Sequence, residues 1–336
     1  MKNVAKTVGF KEGERNVFFH ILTACNLSCK HCYINKEQHG TAQLSKEQIV
    51  EWMGLFASEK TKTNLIFLGG EPTMHPNLAY AIAKAKDFGF TVTVDSNGFL
   101  FNNLLEKTTP KLLDYLSFSL DGPDAEVNDP IRGSGVFDVC TENIKRAVTK
   151  GFNVSLIYTV SRKNLLHLER MVSLLQKLKV KKFFIQVIGL RGNSAAAASE
   201  ETSQVTRKEW LDIVPEVARN AAKKGIHVTY PKVFLDEGEQ FQCAGNVAEN
   251  YFVFPNGRVY QCPLCEDHPI HSFQIENGKL NPVAGLREND FFRLDIAEGC
   301  VMNKLLQPDT LEYDDQGKAK YKISCCLLKQ EIVPEN

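Results

Sequence analysis

Short apolar runs alternate with amphipathic segments along the first half of the chain. Residues 16–21 (NVFFHI), 64–68 (NLIFL), 91–96, 116–120, 153–160 and 182–187 are brief, rich in β-branched or aromatic residues, and predicted as strands. Between them, apolar positions recur at helical spacing over 46–58, 77–88, 137–150 and 165–178, with a shorter helical stretch at 110–115. Ser45 is a suitable N-cap for the first helix, with Gln48 at the reciprocal capping-box position. Gly151 stands where helix 137–150 would close in a left-handed cap.

Six strand–helix alternations, with strands apolar enough to be covered on both faces, argue an α/β fold with helices outside a parallel sheet. Six strands are too few to close an eight-stranded barrel, so a partial (β/α)6 TIM-like barrel is expected. In such a fold the loops after strand C-termini form the functional face. The texture changes after residue 187. Residues 189–204 are small and polar, a lid or linker, and 207–224 form an amphipathic helix. Residues 251–254 and 258–261 flank Asn256-Gly257, the signature of a β-hairpin. We place a boundary near residue 230, giving a core over 1–230 and a small cysteine-rich α+β extension over 231–336. No internal repeat or long low-complexity tract interrupts this plan.

Composition is ordinary for a globular chain of 336 residues, at 43% hydrophobic and 24% charged. Lys+Arg and Asp+Glu are both 40, so the charge balance predicts neither a nucleic-acid nor a membrane partner. The first residues lack the apolar core of a signal peptide, and no run reaches the ~18 apolar residues of a membrane span. A cytoplasmic protein is expected. Against that background ten cysteines are many, and they cluster, which favours metal binding over disulfides.

Cys25, Cys29 and Cys32 lie in the loop that follows the first strand, spaced by four and three residues. Such a loop can wrap three thiolates around one face of an iron–sulfur cubane, leaving the fourth iron without a protein ligand. A zinc site or three structural cysteines are the alternatives on spacing alone, although zinc sites more commonly join a Cys-x2-Cys pair to a second pair or to histidines. The run Cys-x3-Cys-x2-Cys followed by Tyr33 resembles the signature of the radical S-adenosylmethionine (SAM) superfamily. The resemblance extends from about Val17 to Gly189. It implies a [4Fe–4S] cluster whose free iron is chelated by the amino and carboxylate groups of SAM. Reduction then cleaves SAM to methionine and a 5′-deoxyadenosyl radical, which abstracts a substrate hydrogen.

Further motifs follow in family order. Gly69-Gly70-Glu71-Pro72 is similar to the GGEP motif, which implies that the backbone around Gly70 and the Glu71 carboxylate bind the methionine amino group. Ser96-Asn97-Gly98 resembles the next loop, with Asn97 near the SAM ribose or carboxylate. Ser119-Leu-Asp121-Gly122 is similar to a segment whose Ser119 and Asp121 side chains would hydrogen-bond ribose hydroxyls. Arg132 is where related proteins place an arginine near the SAM carboxylate, with a salt-bridged arginine as the alternative, and Ile188-Gly189 would pack on adenine. Cys140, alone within a helix, reads as a small buried hydrophobe. His20, His268 and His271 are assigned no role.

A second set, Cys243, Cys262, Cys265, Cys300, Cys325 and Cys326, occupies the extension. Cys243-x13-Gly257-x4-Cys262 resembles the opening of the SPASM and twitch extensions, where a hairpin brings cysteines to an auxiliary [4Fe–4S] cluster. Six thiols cannot fill two four-thiolate clusters, so one cluster is expected. Cys243, Cys262, Cys300 and Cys325 are the preferred ligands, with Cys265 and Cys326 as alternates, since adjacent cysteines point apart. A zinc ribbon on Cys262-x2-Cys265 remains the competing arrangement. The resemblance implies a peptide-modifying or protein-maturing enzyme, fed by an external electron donor such as flavodoxin or ferredoxin. Small-molecule chemistry, including tetrapyrrole-precursor oxidation, is the runner-up. Only about fifteen residues precede the first strand, which weighs against a peptide-recognition domain there, and the ending Glu-Ile-Val-Pro-Glu-Asn weighs against a molybdenum-cofactor cyclase with its Gly-Gly tail. From another class, the chain would be a non-catalytic iron–sulfur or zinc scaffold.

Overall fold

The computed structural model describes residues 4–197, 204–308 and 311–334. Part of the expected lid or linker, 198–203, lies outside the described residues. Among the described residues, thirteen strands form one sheet: β1 (Lys6–Val8), β2 (Glu14–His20), β3 (Lys62–Leu68), β4 (Thr91–Ser96), β5 (Tyr115–Ser119), β6 (Val154–Val160), β7 (Lys182–Val187), β8 (His227–Pro231), β9 (Glu249–Val253), β10 (Arg258–Tyr260), β11 (Phe273–Glu276), β12 (Lys279–Pro282) and β13 (Lys329–Ile332). Their order is β1-β13-β8-β7-β6-β5-β4-β3-β2-β9-β10-β11-β12.

The six predicted strands are β2 to β7, adjacent and parallel throughout. Two further strands extend this parallel array, β8 beside β7 and β9 beside β2. The sheet does not close on itself, so the partial-barrel architecture holds. The boundary drawn near residue 230 falls inside β8, and the sheet continues across it.

Period-two burial shows how the sequence builds the barrel. Val92 and Val94 of β4, Leu65 and Phe67 of β3, and Val17 and Phe19 of β2 are fully buried against the helices. Their neighbours Thr93, Asp95, Asn64, Ile66 and Phe18 face the other way, into the barrel, and are half-buried. Helices Lys46–Gly54, Leu78–Asp87, Val136–Thr149 and Leu168–Leu178 cover the outside. The Ser45–Gln48 capping box is formed in both directions, and Gly151 has φ +82°.

Some local expectations shift. The short helix expected at 110–115 is at Leu104–Lys107 instead, and helix 46–58 stops at Gly54. An unpredicted helix, Ala125–Arg132, is capped by Asp124 and carries Pro130 in its interior. Its polar sequence gave no helical stripe strong enough to read. The hairpin forms as expected, β9 against β10. No helix among the described residues is long and apolar enough to cross a membrane.

Candidate active site

The cysteine loop leaves the C-terminal end of β2 and is pinned from below by the end of β3. Gly70 N–H donates to Leu22 O (3.1 Å) and Glu71 N–H to Ala24 O (2.9 Å). A β-carbon at Gly70 would lie 2.3 Å from Ala24 O, and one at Gly69 would lie 2.6 Å from Leu22 O. The glycines are needed for this backbone-on-backbone approach. Cys25 is exposed, and Cys29 and Cys32 are half-buried on the same loop.

Asn97, at the end of β4, reaches across to this loop. Its Nδ2 lies 3.6 Å from Cys25 Sγ and donates to Asn26 Oδ1 at 2.9 Å. Leu27 N–H also points to Cys25 Sγ. Amide donors of this kind stabilise a thiolate and tune a cluster bound to it. Although the Cys25 residue is exposed, partial desolvation of its sulfur by the loop pushes the thiol up to about 11, and burial raises Cys29 and Cys32 as well, with Arg132 opposing it at both of these. Metal must therefore displace protons from these groups.

Two carboxylates turn out to be structural. Glu71 is fully buried. Its Oε1 accepts from Thr73 N (3.0 Å), Thr73 Oγ1 (2.7 Å) and Ser96 Oγ (2.9 Å), and its Oε2 accepts from Asn97 N (2.7 Å). The carboxylate expected to bind the methionine amino group thus already accepts from four donors of the protein. Glu71 ties the β3 end to the β4 end. Asp121 is likewise fully buried. Its Oδ2 is 2.6 Å from Arg132 Nε and 3.3 Å from His31 Nε2, and its Oδ1 accepts from Thr159 N at 2.7 Å. The carboxylate expected at the ribose hydroxyls is thus held by three groups of the protein. Its charge is matched by Arg132, while burial lowers the pKa of His31 against the pull of Asp121. Ser119, half-buried at the end of β5, keeps its position facing the barrel interior.

The residues present fit a bound cofactor. Asn26 Nδ2 and His31 Nδ1 are buried beside the cysteine loop without a hydrogen-bond partner among the described residues. Beside them a small hollow is lined by Lys30, His31, Ile131, Thr159, Ser161 and Ile188, among others. Ile188, expected from the resemblance to pack on adenine, is in the wall of this hollow. Among the described residues no three or more His, Cys, Asp or Glu side chains are set closely enough to hold a single metal ion. A cubane asks for wider spacing, because each thiolate binds a different iron.

The second thiol set converges on one small apolar hollow. Cys243, Cys262, Cys300 and Cys325 all line it, together with Cys326 and the rings of Phe241, Phe291 and Phe292. Cys265 is fully buried against Cys262 and is not in the lining. The expectation that Cys325 and Cys326 point apart is corrected. That rule belongs to extended chain, whereas Cys326 opens a turn. Proton sharing with Cys326 lowers the pKa of Cys325, whereas burial raises Cys243 to about 12. All ten cysteines are free thiols. Cys140 is fully buried, and its Sγ is one reason that Gly98 must be glycine.

Sequence reasoning missed the polar residues between the two thiol sites. His20 stacks on Phe254 and bonds Tyr33 Oη (2.7 Å) and Val253 O (3.0 Å). His39 also stacks on Phe254, with ring centres 4.0 Å apart, and bonds Glu266 O (3.0 Å). Lone histidines carry no local signal of such partners.

Comparison with known proteins agrees with this geometry. Residues 19–175 match the family model described as "Radical SAM superfamily". Fe-coproporphyrin III synthase of Methanosarcina barkeri is 27% identical over 221 residues, 64% of this chain and 54% of that protein, so the chain spans about half the length of that relative. A probable GTP 3′,8-cyclase of Saccharolobus solfataricus is 31% identical over 268 residues, 77% of this chain and 85% of that protein. In fold, the chain is similar to Streptococcus suis SuiB bound to the precursor peptide SuiA (TM-score 0.61, 12% identity, 80% of this chain and 62% of that one). It is also similar to anSMEcpe with bound AdoMet and the Cp18Cys peptide (TM-score 0.57, 14% identity, 79% and 77%). With three thiols on the β2 loop, the strand ends packed beneath them and relatives of this kind, the chain belongs to the radical SAM superfamily, a family of enzymes that use a [4Fe–4S] cluster and S-adenosylmethionine.

Proposed function

We propose that this protein cleaves SAM reductively and removes a hydrogen atom from a peptide or from a protein undergoing maturation. The observation that carries the reading is the β2 loop itself. Three thiols there are held by the ends of β3 and β4, beside buried Asn26 and His31 nitrogens that lack partners among the described residues. When bound, the cluster and SAM supply a one-electron cleavage that ends in hydrogen abstraction.

The chain's own residues do the positioning. Cys25, Cys29 and Cys32 would hold three irons, and the Asn97 amide sets the direction of Cys25. Gly70 lets the β3 end approach the loop, leaving backbone rather than the Glu71 carboxylate to meet an amino group. Asn97, Ser119 and Arg132 face the SAM side, with Asp121 fixing the guanidinium. Cys243, Cys262, Cys300 and Cys325 would hold one auxiliary [4Fe–4S] cluster, in a hollow also lined by Phe241, Phe291 and Phe292. Flavodoxin or ferredoxin is the expected class of electron donor.

The barrel interior supports a peptide better than a polyphosphate. Asn64, Thr93, Asp95 and Ser119 line it, and Asp95 has no ion-pair partner among the described residues. Burial pushes the Asp95 carboxyl up to about 7, with help from nearby Glu71. A carboxyl that titrates near neutral and already accepts from Ser117 repels phosphate when ionised and can meet a further amide, hydroxyl or ammonium donor. Small-molecule chemistry remains the second reading, favoured by the coproporphyrin synthase and cyclase relatives. The chain's ending, taken above to weigh against a cyclase, carries no weight beside those relatives.

The test is anaerobic reconstitution with iron and sulfide, followed by dithionite and SAM. Release of 5′-deoxyadenosine is expected from the wild type and lost in Cys29→Ala. Intact SAM, or zinc without inorganic sulfide at the N-terminal thiols, refutes the reading in favour of a scaffold.

A further inference from the structure

One short segment touches both thiol sites. Residues 190–194 follow β7 and run between the β2 loop and the turn that carries Cys262. On one side Asn193 holds two cluster-loop carbonyls at once, its N–H donating to Cys32 O (2.8 Å) and its Nδ2 to Cys29 O (2.9 Å). On the other side the Arg191 guanidinium donates to Pro263 O and to Glu266 Oε2 (3.1 Å). Gly192 N–H donates to Asp267 Oδ2 (2.9 Å). Leu190 N–H donates to Leu306 O (3.1 Å), at the end of the helix that Cys300 caps.

The link has little slack. Gly192 has φ +51°, and a β-carbon there would lie 2.5 Å from Cys32 O. The Arg191 and Glu266 side chains are only 18% and 3% exposed, so their ion pair is largely shielded from solvent. The guanidinium also lies 5.1 Å from the ring centre of Tyr33, the residue after Cys32. The carbonyls of Cys29 and Cys32 help to set where their sulfurs point. A shift in the Cys262–Glu266 turn therefore reaches the first thiol loop through hydrogen bonds and two residues of backbone.

We propose that residues 190–194 form a strap through which a filled C-terminal thiol site sets how well the N-terminal site binds SAM, with Arg191 as the positioning residue that carries the coupling. This rests on the function proposed above and adds to it a dependence of one site on the other.

The test uses the full chain, reconstituted anaerobically, as wild type, Arg191→Ala, Cys243→Ala/Cys300→Ala, and the combination of all three. Iron and sulfide per chain, SAM affinity by equilibrium dialysis, and the change in the reduced cluster's electron paramagnetic resonance spectrum on adding SAM are measured for each. Arg191→Ala is expected to keep wild-type iron, to bind SAM about tenfold more weakly, within the roughly 5- to 150-fold range of site–site coupling, and to show an altered SAM-dependent spectrum. The cysteine double variant should lose about half the iron and weaken SAM binding similarly. The combination should be no worse than either, because both cut one link. Wild-type SAM affinity and spectrum in Arg191→Ala, or effects that multiply in the combination, overturn the coupling alone. Iron for only one cluster in the wild type overturns the auxiliary-cluster reading and the coupling together. Should Arg191→Ala fail to fold, Glu266→Gln removes the ion pair but keeps the Pro263 contact. It must then weaken SAM binding in the same direction by a smaller factor, and wild-type affinity there overturns the proposal.

Discussion

Replacing Gly70 with alanine tests the packing on which the thiol loop depends. The new β-carbon would stand 2.3 Å from Ala24 O and 2.5 Å from Thr23 O, both backbone atoms that no rotamer change can move aside. The loop or the β3 end must therefore shift by about 1 Å to reach ordinary van der Waals separation. That shift strains two backbone hydrogen bonds, Gly70 N to Leu22 O and Glu71 N to Ala24 O, each contributing about 1 kcal/mol net. Overpacking adds about 1–3 kcal/mol. The expected loss is about 3–5 kcal/mol, read from urea unfolding of the apo chain, with reduced iron uptake on reconstitution. Gly54→Ala is the control. Its β-carbon meets only Phe88 at 3.7 Å, an ordinary contact at a helical position. It should be neutral or stabilising by up to about 1 kcal/mol. If Gly70→Ala unfolds at the wild-type urea concentration and takes up wild-type iron, the close approach does not constrain the loop and the reasoning fails.

Asp121→Asn leaves the Arg132 guanidinium buried without its counter-ion and should cost about 3–5 kcal/mol in urea unfolding. A loss below about 1 kcal/mol would show that solvent reaches the pair. Acid sensitivity is expected at His20, whose burial lowers its pKa to about 3. The unfolded chain takes up that proton below about pH 6.5 while the folded chain refuses it, so stability falls as pH drops through this window. Relative to His20→Phe, the wild type should lose about 2 kcal/mol between pH 7 and pH 5. Parallel stability curves for the two proteins would contradict this. Asp95→Asn should leave 5′-deoxyadenosine release without substrate within about twofold of the wild type, since its inward position serves the substrate side. It should relieve repulsion of a triphosphate, so tighter GTP binding than in the wild type is expected by equilibrium dialysis. Equal GTP binding by the two proteins would remove Asp95 from the discrimination.

The sequence by itself determined the parts of this protein that depend on local periodicity and on the chemistry of side chains. Alternating apolar runs gave β2 to β7, the Asn-Gly turn gave the β9–β10 hairpin, and thiol spacing together with the family resemblance of the motifs that follow marked the β2 loop as a place for iron and sulfur. Pairing between distant segments carries no local period. The tertiary structure alone set β8 and β9 against the two sides of the parallel array, and so brought the second thiol hairpin beside the strand that bears the first. It also decided the fate of individual charges. Glu71 and Asp121 read as ligands in one dimension, yet folding buries both, and a buried carboxylate is held by whichever donors surround it. Cys325 and Cys326 face one hollow because a turn, not a strand, carries them. The strap at 190–194 is legible nowhere in the sequence, since each of its partners lies on another element and only the closed packing of the barrel brings them within reach.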